Sequence, residues 1–254
     1  MAMSIDLTGK VSLITGASRG IGKATTLLFT QAGSDLIINY FRNKKEAEKT
    51  AFKAKASGVQ AEIFKADLSS KTQCEKMADF AFKKFGRIDI LINNAGIWKY
   101  APIDKMSQTQ LKETLRVNLE GVFYLTAKVV PLMKKQGGGN IINISSTAGQ
   151  RGEAYHSHYA ASKGAVISLT KSLSTELAQY NIRVNCVAPG WVDTDMSHRS
   201  LIGKDSKWIL DQIPLGRAAQ PEEIAGAILF LASDLATFIT GEIINVNGGA
   251  VLIG

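Results

Sequence analysis

"VSLITGASRGIG", Val11 to Gly22, passes from a short β-branched apolar run into a glycine cluster and then into helical periodicity. Glycines at 16, 20 and 22 permit a tight turn and let a phosphate-bearing ligand approach the backbone. The helix N-terminus behind them offers free N–H groups at the positive end of a dipole. Glycines alone would mark any turn. Between the first strand and first helix of a βαβ unit they mark a dinucleotide-binding loop, here Gly16, Ser18, Arg19, Gly20, Ile21 and Gly22.

Outward from that loop the same alternation repeats. Val11–Thr15, Asp35–Tyr40, Gln60–Ala66, Ile88–Asn93, Asn140–Ser145, Ile182–Ala188 and Glu242–Asn247 read as strands, several nearly continuous in apolar residues. Such runs suit a parallel sheet covered on both faces. Helical patterns fill about 20–32, 43–57, 71–85, 107–136, 157–179 and 221–233. Ser107 to Gln110 is a capping-box pattern, and Pro221-Glu222-Glu223 puts proline and acids in a first turn. The expected fold is α/β: a Rossmann-like, doubly wound, seven-stranded parallel sheet with helices on both faces. No linker or repeat interrupts 1–254, which therefore reads as one domain for both dinucleotide binding and catalysis. Residues 192–220 break the rhythm and read as a substrate lid, being too long for an ordinary connection. In open α/β sheets the ligand crevice lies beyond the carboxyl ends of the strands.

The 254 residues, 45% hydrophobic and 20% charged, have ordinary globular composition. No apolar run reaches membrane-spanning length, and the start lacks the pattern of a secretory signal. Two cysteines, Cys74 and Cys186, cannot make a disulfide framework, and no Cys/His spacing suits zinc. A reducing cytoplasm is the expected location. The net charge of +8 comes from scattered lysines on outer helix faces, which excludes a nucleic-acid stripe and favours a solvated surface that attracts anions.

The end of the second strand discriminates between NAD and NADP. An acid there would accept bonds from the ribose hydroxyls of NAD, whereas a 2′-phosphate needs cations. The chain has Tyr40 in that place, then Arg42, with Arg19 in the glycine loop. The planar guanidinium fork suits phosphate, so NADPH/NADP is the expected cofactor and NADH the less favoured one.

Further marks follow in register: Asp67-Leu68, Asn93-Asn94-Ala95-Gly96, Asn118, Ser146, Tyr159, Lys163, Pro189-Gly190-Trp191-Val192-Asp193-Thr194 and Asn247-Gly248-Gly249. With the glycine loop, they make the chain resemble the short-chain dehydrogenase/reductase family over essentially its whole length. Within the family it looks most like the β-ketoacyl-carrier-protein reductases. The resemblance implies an adenine contact at Asp67-Leu68 and cofactor contacts at Asn94, Ala95, Gly96, Pro189, Gly190, Val192 and Thr194. It also implies a homotetramer joined through the two long helices and the sheet's last edge. Asn247 stands where the family commonly has aspartate.

Tyr-x-x-x-Lys occurs three times, at Tyr40/Lys44, Tyr124/Lys128 and Tyr159/Lys163. The family places a serine thirteen residues before its tyrosine. Counting back finds Leu27, Leu111 and Ser146, so only Tyr159 has the partner. On a helix, residues i and i+4 share a face, which puts Lys163 beneath the Tyr159 ring. An ammonium ~4 Å away stabilises a phenolate by about 4 kcal/mol at an effective dielectric of ~20, or at most ~3 pKa units, enough to draw the phenol towards neutrality. The family mechanism implied is hydride transfer from NADPH to a carbonyl, with Ser146 bonding the carbonyl oxygen and Tyr159 giving the proton. In it, Lys163 favours the tyrosinate and binds the nicotinamide ribose, Asn118 holds a water linking Lys163 to solvent, and Thr194 bonds the carboxamide. Ser146 lacks the Gly-x-Ser-x-Gly elbow of a hydrolase.

His156 and His158 read as rim residues and Cys186 as core. Trp98, Tyr100, Tyr155, Trp191 and Trp208 are candidates for a substrate pocket. The substrate is a small-molecule or acyl-thioester carbonyl compound, with acyl carrier protein as the candidate partner. Family carrier-docking arginines are replaced by Pro131 and Thr175, which leaves a sugar, polyol, steroid or small ketone open. The alternative of another class is a catalytically silent NADP-binding sensor, against which the complete Ser146/Tyr159/Lys163 set argues.

Overall fold

A computed structural model describes residues 5–204 and 206–252. Seven strands form one parallel sheet: β1 (Val11–Ile14), β2 (Asp35–Tyr40), β3 (Ala61–Lys65), β4 (Ile90–Asn93), β5 (Gly139–Ile144), β6 (Ile182–Pro189) and β7 (Ile243–Val246). Their order is β3-β2-β1-β4-β5-β6-β7. Direction along the sheet reverses between β1 and β4, the switch point where such sheets open a crevice.

Neighbouring residues of each strand serve opposite faces, as the period of two requires. Ile14, Ile38 and Ile92 join a core with Phe29 and Ile228. These come from α1 (Gly20–Gln31) and α10 (Pro221–Ala232). Leu13, Ile37 and Leu91 join the opposite core with Met77, Leu125 and Leu177. That face is covered by α3 (Lys71–Phe85), α5 (Gly121–Lys135) and α7 (Ser157–Leu177), while α2 (Lys44–Ala56) lies on the first face. Fully burying one such side chain stabilises the fold by roughly 1.5–3 kcal/mol, so these double-faced strands anchor the molecule.

The capping box at Ser107 and Gln110 is present, opening α4 (Gln108–Leu115). Pro221 sits in the first turn of α10, with a second capping box between Gln220 and Glu223. The expected single helix over 107–136 is interrupted: a π turn, Arg116–Glu120, separates α4 from α5. Periodicity cannot register one added residue in a turn, and such turns recur at functional sites. A short helix unforeseen from the sequence, α6 (Thr147–Arg151), follows β5.

Residues 192–220 hold two short helices, α8 (His198–Ile202) and α9 (Ser206–Asp211). A parallel bridge between Val192 and Ala219 closes the base of the excursion. There Asp193 N–H donates to the Ala219 carbonyl at 2.8 Å and Ala219 N–H to Trp191 at 2.9 Å.

Candidate active site

The loop after β1 is stitched to its neighbours before it meets any ligand. Thr15 Oγ1 accepts the Asn94 and Ala95 amides at 2.9 and 3.0 Å and donates to Ile92 O at 3.2 Å. Gly16 N–H donates to Asn39 Oδ1 at 3.0 Å. Gly16 takes φ +62°, the left-handed region that glycine tolerates. A side chain on Gly22 would collide with the Gly16 carbonyl and lie 2.6 Å from Asn94 Nδ2, so only glycine lets α1 start this close to the sheet. The result is a backbone cradle at a helix N-terminus, which fits the pyrophosphate of a dinucleotide.

Ser146 caps α6, its Oγ accepting the Ala148 amide at 3.1 Å. Tyr159 and Lys163 lie in the first turns of α7. Ser145 is structural: its Oγ donates to Lys163 O at 2.8 Å, tying β5 to α7. Lys163 is buried, its Nζ donating to Ile144 O at 2.7 Å and lying 5.9 Å from the Tyr159 ring centroid. A Cβ on Gly96 would stand 3.4 Å from that Nζ and from Asn118 Oδ1.

One cleft of about 470 Å³ runs from the glycine loop to these groups. Ser18, Arg19, Gly20 and Ile21 line one end, with Arg42 and Asp67-Leu68 beside them; Ser146, Tyr159 and Lys163 line the other. Asn94, Ala95, Gly96, Pro189, Gly190, Val192 and Thr194 lie along it. Three predicted residues do not. Tyr40 is buried in the core beneath α2, and Phe41, Arg42 and Asn43 reach the cleft instead. Gly22 serves helix packing. Asn118 is fully buried in the π turn, exchanging bonds with Ile97 and donating to Ser162 Oγ at 3.2 Å.

The electrostatics depart from expectation. Burial pushes the Tyr159 phenol up to about 12, against a lowering by the Ser146 hydroxyl, and the Glu153 charge raises it further. Burial pulls Lys163 down to about 8. The anticipated lysine-driven drop is not produced by the protein groups alone: burial dominates at Tyr159, only the Ser146 hydroxyl lowers it, and the Lys163 Nζ is engaged by Ile144.

The other two Tyr-x-x-x-Lys pairs are spent elsewhere. Tyr124 donates to Glu120 at 2.7 Å while Lys128 pairs with Asp79 at 2.7 Å, and Lys44 pairs with Glu48 at 3.4 Å. Trp98 and Trp191 line the cleft; Tyr100, Tyr155 and Trp208 are exposed away from it. His156 and His158 are buried, not at a rim: His156 stacks on Trp98, and His158 is 2% exposed. Cys186 is core, as expected. Asn247 serves its own turn, accepting from Gly249 N–H at 2.9 Å and donating to Val251 O at 2.8 Å.

Sequence reasoning passed over Asn39 and Glu153. The first carried a signal, a lone amide within the apolar run of β2. The second carried none, since a loop carboxylate is ordinarily solvated.

A backbone cradle for a dinucleotide, continuous with a serine, a tyrosine and a lysine at the switch point of a parallel sheet, defines a nicotinamide-dependent oxidoreductase acting on CH–OH groups. The family described as Enoyl-(Acyl carrier protein) reductase matches residues 16–251. The 3-oxoacyl-(acyl-carrier-protein) reductase of Thermotoga maritima is 43% identical over 246 residues, 97% of this chain and 99% of that protein. A solved Beutenbergia cavernae protein, a putative NAD(P)-dependent gluconate 5-dehydrogenase with bound NADP, superposes with a TM-score of 0.91 at 33% identity, covering 96% of this chain and 98% of that one. A 7α-hydroxysteroid dehydrogenase complexed with NADH and a 7-oxo bile acid gives 0.92 at 36% identity, covering 97% and 96%. The chain belongs to the short-chain dehydrogenase/reductase family.

Proposed function

We propose that this chain is an NADPH-dependent ketoreductase that converts a 3-oxoacyl thioester, carrier-linked or free, into its 3-hydroxyacyl product. The observation that carries the reading is the single cleft joining the glycine loop to Ser146, Tyr159 and Lys163. The name of the Thermotoga relative supports the substrate class. The bound cofactor supplies the hydride. Ser146 donates a hydrogen bond to the carbonyl oxygen as charge develops there, and Tyr159 hands over the proton. Lys163, buried at the cleft floor, orients the nucleotide ribose and favours the charged phenol. Thr194 takes the carboxamide. The Asn118 side chain braces the Gly96–Ile97 backbone beside Lys163, a positioning role.

The preference for NADPH rests on Arg19 and Arg42, which flank the adenosine end of the cleft where no carboxylate replaces Tyr40. On this reading the enzyme works in the cytoplasm as a homotetramer, as the family resemblance implies; no helix among the described residues is long and apolar enough to cross a membrane. The test is NADPH absorbance decay with acetoacetyl thioesters, free and carrier-linked. Absence of turnover with both would overturn the assignment.

A second reading, reduction of a free hydroxylated ketone or polyol product, has one observation in its favour. Pro131 and Thr175 lie exposed on the long helices where carrier-docking arginines would be expected, and Lys128 and Lys134 are engaged with Asp79 and the Tyr180 ring.

A further inference from the structure

Apart from the charge by which it raises the Tyr159 phenol, Glu153 has no role assigned above, yet it lines the same cleft as Ser146 and Tyr159. Its side chain is 24% exposed and its Oε1 accepts the Trp98 indole N–H at 3.1 Å. The same oxygen lies 3.7 Å from His156 Nδ1, whose nearer partner is the Ala154 carbonyl at 3.0 Å. No lysine or arginine among the described residues comes within ion-pair distance of it.

The carboxylate is held firmly. Trp98 stacks face to face on His156, centroids 4.3 Å apart and planes 8° apart, and meets the edge of Trp191 at 6.0 Å. The loop bearing Glu153 is pinned where Ala101 N–H donates to Tyr155 O at 2.8 Å. Tyr155 itself takes φ 63°, a sparsely populated conformation for a bulky residue and one that collects at ligand-binding sites. Burial raises the Glu153 carboxyl above its ordinary value, in accord with a group set inside the wall instead of in solvent.

A carboxylate only accepts hydrogen bonds. With Oε1 committed to Trp98, Oε2 carries no bond among the described residues and remains an acceptor beside two flat apolar faces. We infer that Glu153 is a specificity-determining residue that accepts a hydrogen bond from a donor on the substrate, a hydroxyl or an amide N–H near the reacting carbonyl, and turns away substrates with a carboxylate there. The inference rests on the ketoreductase reading and names what its pocket selects. The donor has two chemical sources: the hydroxyl of a hydroxylated ketone, or the amide of a cysteamine-type thioester arm.

The experiment measures NADPH-dependent kcat/KM for two matched pairs plus an anion. Hydroxyacetone is set against 2-butanone, and acetoacetyl-N-acetylcysteamine against S-butyl acetothioacetate, which lacks the amide. Acetoacetate is the anionic probe. A hydrogen bond to a charged group corresponds to a factor of about ten to about 100. In Glu153→Leu the donor-over-non-donor ratio therefore falls at least about tenfold in one pair, and which pair falls assigns the source. Acetoacetate gains relative to 2-butanone in both Glu153→Leu and Glu153→Gln. Glutamine still accepts from Trp98, so the acetoacetate ratio in that variant carries the test should the leucine variant fail to fold by thermal melt. Ratios unchanged in both pairs, or an equal loss on every substrate, would overturn the role of Glu153 alone. Wild-type protein inert towards every ketone, while binding NADPH, would overturn the reductase reading and this inference with it.

Discussion

Asn118 and Ile97 exchange two hydrogen bonds: the Ile97 N–H donates to Asn118 Oδ1 at 2.8 Å, and Asn118 Nδ2 donates to Ile97 O at 2.9 Å. One side chain thus behaves like a strand partner, fixing the Gly96–Ile97 backbone next to Lys163 Nζ. The π turn is what brings it there. Without the added residue, the continuous helix expected from periodicity would turn position 118 elsewhere.

Asn118→Ala leaves both Ile97 groups short of a partner in a part-buried setting. It should lower stability by about 2 kcal/mol, allowing for the cost of unmade buried bonds. It should also loosen the cleft floor, lowering kcat more than it raises KM for NADPH. Denaturant unfolding with steady-state kinetics checks both; unchanged stability would remove Asn118 from its bracing role.

Tyr159→Phe keeps the ring and removes the proton. Loss of a general acid costs about 10²–10⁴ in rate. The variant should retain the NADPH affinity of the parent, read by fluorescence titration, while turnover drops by that order. A kcat within about threefold of the parent would rule out Tyr159 as the acid; threefold is far below the range expected for this role.

The buried lysine gives stability a definite pH signature. Its pKa is lowered to about 8, so between there and its ordinary value of 10.5 the unfolded chain binds more protons than the folded one. The Lys163 contribution to stability therefore rises as pH increases from about 8 to 10.5. Tyr159 acts oppositely and higher: with a folded value of about 12 against 10.0, its stabilising contribution is lost as pH rises from 10 to 12. Lys163→Met should be most stabilised relative to the parent near pH 7, by ~3 kcal/mol less the lost Ile144 bond, and that advantage should fade by pH 10. Thermal melts across this range decide it; an advantage independent of pH would show that Lys163 is not held against its charge.

Arg19 NH1 lies 3.3 Å from Asp195 Oδ2, joining the glycine loop to the segment after β6, with both side chains largely exposed. On the proposed NADPH reading, this pair competes with the cofactor's 2′-phosphate for the same guanidinium. An exposed pair is worth about 0–1 kcal/mol, so Asp195→Asn should lower KM for NADPH by up to about fivefold and leave NADH nearly unaffected, an effect that shrinks in high salt. Arg42→Asp should do the reverse, raising KM for NADPH and narrowing the gap to NADH. Equal kcat/KM for both cofactors in the parent would contradict the charge argument.

From sequence alone, the strand and helix succession was readable because two-faced burial demands continuous apolar strands such as Leu36–Ile38, and because the glycines at the first turn have few other uses. The choice of Tyr159 over Tyr40 and Tyr124 came from the family resemblance, which sets a serine thirteen residues before its tyrosine, and the structure brings Ser146 and Tyr159 into one cleft. Tertiary structure alone settled which way side chains turned. Tyr40 belongs to the core while Arg42 reaches the cleft, because β2 ends at Tyr40 and the residues after it leave the alternation of the strand. The π turn, the committed Lys163 ammonium and the anchored Glu153 carboxylate likewise depend on partners distant in the chain, such as Ile97, Ile144 and Trp98, whose approach no local pattern encodes.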